Sequence, residues 1–339
     1  MTKNPGGLLN TGSTQFSGLR QRIAGSYMAV PIAFVAVLFI VNLCVNSKFI
    51  SPSNIAATLA VSSPYILASL AQAMPALGGG GGVDMSVGPV IGFTTVLTAS
   101  ILTPLGLGNP AVFVPIIIVF GLAVGALNGL LAVYVRLPPI VATMGTYLVF
   151  VGLAPVVMPI PGGSVPAWLV QLVGSYGPIP GVLIVYVLIG LLWFGLRKGS
   201  FVRNLLNVGG DDRAAYTAGI RVNLTRLGAY ALGGLFSALA GMLLAGTIQS
   251  GDATVGPIYT VTSLAAIALG GISLAGGRGG LLGAALGGVT YYLIQNLLTI
   301  AHVSVHALKI ASGLVLILAL ALNGLIAVMH RRRMNARSA

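Results

Sequence analysis

Carboxylates are scarce in this chain: only four Asp and Glu occur among 339 residues. One of them, Asp84, sits in GGGGGVDMSVGP, residues 78–89. A glycine-rich loop ahead of a helix can cradle phosphate, but that chemistry needs a Lys followed by Ser or Thr at a fixed spacing. Val83 and Asp84 follow here, and a carboxylate repels phosphate, so nucleotide binding at this loop is excluded. His302 and His306 stand four apart, a spacing at which a helix can offer two imidazoles to a metal. No third ligand accompanies them, and they read as a solvated loop pair with no metal site. Cys44 is the single cysteine, so no intrachain disulfide is possible; inside an apolar run it is expected as a buried, inert thiol. No catalytic constellation emerges, and a membrane enzyme is disfavoured.

The elements that must hold Asp84 follow from composition. Hydrophobic residues make up 56% of the chain and charged residues only 6%. Soluble domains carry about a quarter charged residues, so this chain could not clothe a globule in polar surface. The reading is an all-α, polytopic transmembrane helical bundle. The 48 glycines suit that class, because they let membrane helices approach closely. The net charge of +13 does not point to nucleic acid, since the basic residues lie in short segments between apolar runs.

Spans of roughly 20 apolar residues predict about ten transmembrane helices: 27–45, 55–77, 85–103, 111–135, 140–158, 181–196, 227–249, 260–276, 281–300 and 307–329. Run 181–196 is short, and Pro64 and Pro75 interrupt 55–77. With both termini cytoplasmic, fifteen Lys and Arg fall inside and only Lys48 and Lys309 outside. That asymmetry is what basic residues impose on topology. Residues 1–26 form a cytoplasmic N-terminal segment, 27–329 the transmembrane domain and 330–339 a basic cytoplasmic tail. The first apolar run is expected to be retained, not cleaved as a signal peptide. Segment 159–180 falls outside, with Trp168 and Tyr176 suited to the interface. Segment 197–226 falls inside, and its DDRAAYTA stretch predicts a short surface helix started by Asp211 or Asp212.

Small residues recur four apart at Gly121, Gly125 and Gly129, at Gly233, Ser237 and Gly241, and at Gly279, Gly283 and Gly287. Each series offers a groove for a close helix neighbour. Asp84 has two readings. It can cap the helix that begins near Met85, assisted by Ser86. Alternatively, Gly78–Gly88 is non-helical backbone facing a transport cavity. Both stay open at this point.

Three segments resemble a known family. GGVDMSVGPVIGF (81–93), GALNGLLAVYVRLPPIVATMGT (125–146) and AAIALGGISLAGGRGGLLGAALGG (265–288) are similar, in order, to motifs of ribose-type ABC transporter permeases. The resemblance spans residues 30 to 330. It implies the inner-membrane subunit of a binding-protein-dependent importer of a sugar or similar polar solute. The implied partners are a second permease chain, cytoplasmic ATPase subunits that carry ATP and Mg, and a periplasmic solute-binding protein. No cofactor is implied on this chain itself. GGDDRAAYTAGI (209–220) resembles the family's ATPase-contacting segment. It puts Gly209, Gly210, Asp211, Asp212, Arg213, Ala214, Ala215 and Gly219 in the coupling region. The family's Glu falls on Arg213 and its Arg on Tyr216, so the charge complementarity of docking differs here.

On the same resemblance, Gly81, Gly82, Asp84, Ser86 and Gly88 form the pathway motif, and Asn128, Thr143 and Thr146 are polar groups near the path. Each of the last three could equally bridge helices. Thr260 and Thr262 stand where many relatives carry acidic residues. They could line the path or bond back to their own helix, and for each singly the back-bond is the expectation. Two rival transport readings remain: an ion-coupled secondary carrier, for which intramembrane charge is lacking, and a permease for branched-chain amino acids, whose motif lacks the Gly-Gly-x-Asp-x-Ser-Val-Gly pattern.

Overall fold

The computed structural model describes residues 28–176, 179–304, 307, 310–318 and 321. The terminal segments 1–26 and 330–339 lie outside the described residues, as do His306 and Lys309. The chain is an all-α bundle. Its helices are α1 (Ala29–Val45), α2 (Pro52–Leu77), α3 (Val87–Val96), α4 (Pro110–Gly129), α5 (Pro139–Val157), α6 (Ala167–Val173), α7 (Val182–Lys198), α8 (Phe201–Gly210), α9 (Asp212–Thr217), α10 (Val222–Ile248), α11 (Pro257–Leu269) and α12 (Leu281–Ile300). Residues 310–318 are also helical. A two-residue ribbon pairs β1 (Ser175–Tyr176) with β2 (Ile179–Pro180), antiparallel.

Among the described residues, five helices are long and apolar enough to cross a membrane: 54–77, 110–134, 139–157, 222–248 and 281–300. A sixth span results if α7 and α8, bent by 71° at their junction, count as one. Helices α1 and α11, and α3 with its continuation, are apolar but shorter. Helices thus occupy the first nine apolar runs, and the run 307–329 lies partly outside the described residues.

Several elements differ from expectation. Pro64 and Pro75 do not break α2, which runs unbroken for 26 residues. A proline strips a hydrogen bond from the carbonyl four residues earlier. The Ala60 carbonyl lost to Pro64 instead accepts the Ser63 hydroxyl at 2.7 Å, a substitution that membrane helices require. Helix α10 begins at Val222, inside the segment expected to be a polar loop, and α8 adds a helix there. The helix expected over 260–276 ends at Leu269, because Gly270 opens a loop in which Gly271, Gly276, Gly277 and Gly279 all take positive φ. Gly279 is therefore outside the helical glycine stripe that Gly283 and Gly287 share.

Helix α10 is the hub. It packs against α2, α3 and α4, and glycines set the spacing. A Cβ on Gly121 would strike the Gly234 carbonyl and Ala238, and one on Gly125 would overlap the Tyr230 carbonyl. One on Gly241 would overlap the Ile91 carbonyl. Close approach of this kind supplies packing where lipid removes the hydrophobic driving force between helices. Helices α1, α5 and α7 turn large apolar side chains outward, including Ile40, Leu148, Val156 and Leu191. Cys44 is exposed on α1, correcting the buried thiol expected for it. An apolar run surrounded by lipid has no need to hide its side chains from water, so apolarity alone did not imply burial.

Candidate functional site: a buried polar knot at the glycine run

The glycine run interrupts the chain between α2 and α3. Gly79, Gly80 and Gly81 adopt φ of 67°, 63° and 74°, the left-handed region in which a side chain is strained. A Cβ on Gly82 would overlap the Pro75 carbonyl. The run therefore folds back against the end of α2 in a conformation only glycine accepts.

Asp84 follows, 1% exposed. Its Oδ1 accepts the Ser86 backbone N–H at 2.8 Å and the Ser86 hydroxyl at 2.7 Å. The carboxylate thus closes an Asx turn one residue ahead of α3. It does not cap a first-turn N–H of that helix, as one reading held, because the helix starts at Val87 and Ser86 occupies the cap position. The Gln72 amide, oriented by its hydrogen bonds, pairs with the Asp84 backbone, donating to its carbonyl at 2.8 Å and accepting from its N–H at 3.1 Å.

The knot extends across helices. Asn128 Nδ2, on α4, donates to the Ser86 hydroxyl at 2.8 Å, and its Oδ1 accepts the Thr146 hydroxyl of α5 at 2.5 Å. The Thr143 hydroxyl accepts from the Met85 N–H at 3.0 Å and donates to the Pro139 carbonyl at 2.9 Å. Thr260, on α11, donates to the Met85 carbonyl at 3.1 Å and accepts from the Gly88 N–H at 3.2 Å. A Cβ on Gly88 would overlap that hydroxyl, so glycine admits the contact. One unwound segment thus binds side chains from α2, α4, α5 and α11. Of the pathway residues expected from sequence, Asp84, Ser86, Gly88, Asn128, Thr143, Thr146 and Thr260 are brought together. Thr262 is not: its hydroxyl returns to the Ile258 carbonyl at 2.8 Å on its own helix. Thr260 departs from the back-bond expected for it, because it faces the irregular backbone of 85–88, where unpaired groups need partners.

The segment around 209–220 forms a second assembly. Asp211 caps α9, its Oδ1 accepting from the Arg213 and Ala214 N–H groups at 2.9 and 3.0 Å. Ala215 is buried, and Gly219 turns the chain with φ of 80°. Asp212 pairs with Arg226 of α10 at 2.6 Å. Arg226 also donates from Nε to the Gly78 carbonyl at 3.0 Å. Gly209 lies against the Leu77 carbonyl, and Gly276 against Gly79. Gly209, Arg226 and the loop after α11 therefore touch the glycine run directly.

The remaining carboxylate, Asp252, accepts from Thr254 at 2.7 and 2.8 Å. All four acids thus organise backbone or an ion pair. Among the described residues, no three His, Cys, Asp or Glu side chains gather to hold a metal. Sequence reasoning missed two residues: Gln72 was signalled only as an amide within the apolar run of α2, and Arg226 only as one of many inside charges.

A bundle of apolar helices that gathers a polar knot on irregular backbone between two of them suits a membrane transport protein. The chain belongs to the family described as branched-chain amino acid transport system / permease component, whose model matches residues 54–320. It is 30% identical to the ribose import permease of Bacillus subtilis (strain 168), covering 91% of this chain and 94% of that protein. It is 28% identical to the galactose/methyl galactoside import permease of Escherichia coli (strain K12), covering 91% and 98%. The fructose import permease of Rhizobium meliloti is 29% identical, with coverage of 91% and 89%. No solved structure matches the chain.

Proposed function

We propose that this chain is the membrane subunit of an ATP-driven importer that moves a sugar or similar polar solute into the cytoplasm by alternating access. The names of its relatives supply the solute class, since ribose, galactose and fructose permeases align over most of the chain. The observation that carries the mechanism is the continuity of the two assemblies. The 209–226 region holds the glycine run through Arg226, and the glycine run holds the Asp84 knot that joins α2, α4, α5 and α11.

In this reading both termini and 197–226 are cytoplasmic, ten helices cross the bacterial inner membrane, and a second permease chain completes the pathway. ATPase subunits dock on 209–220, and a periplasmic binding protein delivers solute from outside. ATP and Mg act on the ATPase. Movement of 209–220 is passed to the glycine run, whose glycines tolerate a change of backbone conformation that other residues resist.

Proteoliposomes holding the permease, its ATPase and its binding protein test this. Uptake of radiolabelled sugar is expected only with internal ATP and all three components, and is expected to survive an ionophore. Uptake without the ATPase, collapsing when the ion gradient is removed, would replace the importer with a secondary carrier.

A further inference from the structure

A cavity of about 360 Å³ opens between the glycine run, the turn ahead of α5 and the start of α10. Its lining includes Gly80, Arg136, Asn223 and Arg226, and among the described residues no carboxylate lines it. The Arg226 guanidinium lies over Gly80, where a Cβ would strike its Nη2. Asp212, which is not part of the lining, offsets its charge at 2.6 Å. Arg136 is left uncompensated: it is exposed, and among the described residues its guanidinium has no ion pair, hydrogen bond or ring contact. Its backbone takes φ of 63°, the left-handed region that costs a non-glycine residue free energy. The turn that holds it there is fixed by the Leu137 N–H, which donates to the Leu131 carbonyl at 3.1 Å, and by the ring-restricted Pro138 and Pro139.

We propose that this cavity binds a phosphate group, and that its occupant is the headgroup of an anionic lipid of the cytoplasmic leaflet. A phosphate presents oxygens on several sides and can meet guanidiniums from two different elements, whereas a carboxylate offers a single edge. Val135, Leu137 and Ile140 expose apolar side chains beside Arg136, which gives acyl chains a surface next to the charge. Basic pockets between membrane helices on the cytoplasmic side take such headgroups. The leaflet rests on the topology proposed above; the phosphate site does not depend on what the chain transports. An anion seated here shares the Arg226 guanidinium with Asp212 and the Gly78 carbonyl, and so touches the link between α9 and the glycine run.

The test is native mass spectrometry of the purified full chain in detergent with an equal mixture of phosphatidylglycerol and phosphatidylcholine, with thermal unfolding measured alongside. Wild type is expected to retain phosphatidylglycerol in preference. Arg136→Gln is expected to lower that retention about five-fold, the worth of one basic residue at an anionic surface, with the unfolding temperature unchanged because the guanidinium has no internal partner. Asn223→Glu, at a second exposed lining position, puts a carboxylate into the cavity and should lower retention as well. Arg203→Gln removes the same charge from α8, away from the cavity, and should leave retention at the wild-type level. Equal loss in Arg136→Gln and Arg203→Gln overturns the proposal, since only net charge would then matter. Wild-type retention in both Arg136→Gln and Asn223→Glu also overturns it. A thermal shift by inorganic phosphate that Arg136→Gln abolishes, with no phosphatidylglycerol retained by wild type, overturns the lipid assignment in favour of a soluble ion.

Discussion

The Arg226 guanidinium donates to Asp212 Oδ1 at 2.6 Å while its Nε donates to the Gly78 carbonyl at 3.0 Å. One side chain thus ties the short helix α9 to the start of the glycine run. In the proposed importer, this side chain links the segment proposed to meet the ATPase to the glycine run.

Loss of this link is expected to uncouple hydrolysis from transport. Asp212→Asn keeps the Gly78 bond and removes the ion pair; Arg226→Lys keeps the charge and removes the planar fork. Solute moved per ATP should fall by up to about five-fold in each, the scale of a partly exposed pair. Simultaneous measurement of uptake and phosphate release in proteoliposomes decides the point. Uptake and hydrolysis falling in strict proportion would argue against a coupling role.

Asp84 acts here as a hydrogen-bond acceptor held by Ser86. Asn retains that acceptor, so Asp84→Asn is expected to fold and to keep uptake within about three-fold of wild type. Asp84→Ala leaves the Ser86 N–H and hydroxyl without their acceptor and should cost about 1–3 kcal/mol. Unfolding in detergent compares the two; equal stability would show that the Asx turn is unimportant.

The two threonines of α11 should separate. Thr260→Val removes bonds to Met85 and Gly88 and should destabilise by about 1–3 kcal/mol. Thr262→Val removes only a bond to its own helix, with an expected change under about 1 kcal/mol. The comparison is made by thermal unfolding of the purified variants, and the reverse order would contradict the knot.

Glycines should divide by their surroundings. Gly125→Ala forces a Cβ into the Tyr230 carbonyl and is expected to cost about 1–3 kcal/mol. Gly190→Ala, in α7, meets nothing within 4 Å and should be neutral or gain up to about 1 kcal/mol from helix propensity. Folded yield and unfolding temperature report both.

Much of this arrangement was legible beforehand. Apolar runs located the helices, because a membrane helix must be apolar along its whole length. The glycine run ahead of Asp84 signalled irregular backbone as one of two open readings, since consecutive glycines disfavour a helix through their entropy. What could not be read was partnership. Thr260 and Thr262 are the same residue type two positions apart, yet one bridges to Met85 and the other bonds back to Ile258. Pro64 looked like a break, and the Ser63 hydroxyl repaired the helix.

By itself, then, the sequence determined an apolar helical bundle with one polar, glycine-led interruption and one polar segment set apart from the apolar runs. Those features depend on local composition and on the solvent around the helices. Only the tertiary structure decided that Asp84 serves Ser86, that Asn128 joins Ser86 to Thr146, and that Arg226 reaches Gly78. A hydrogen bond needs its two groups within about 3 Å, and residues 42 or 148 positions apart meet only through helix packing, which no local pattern encodes.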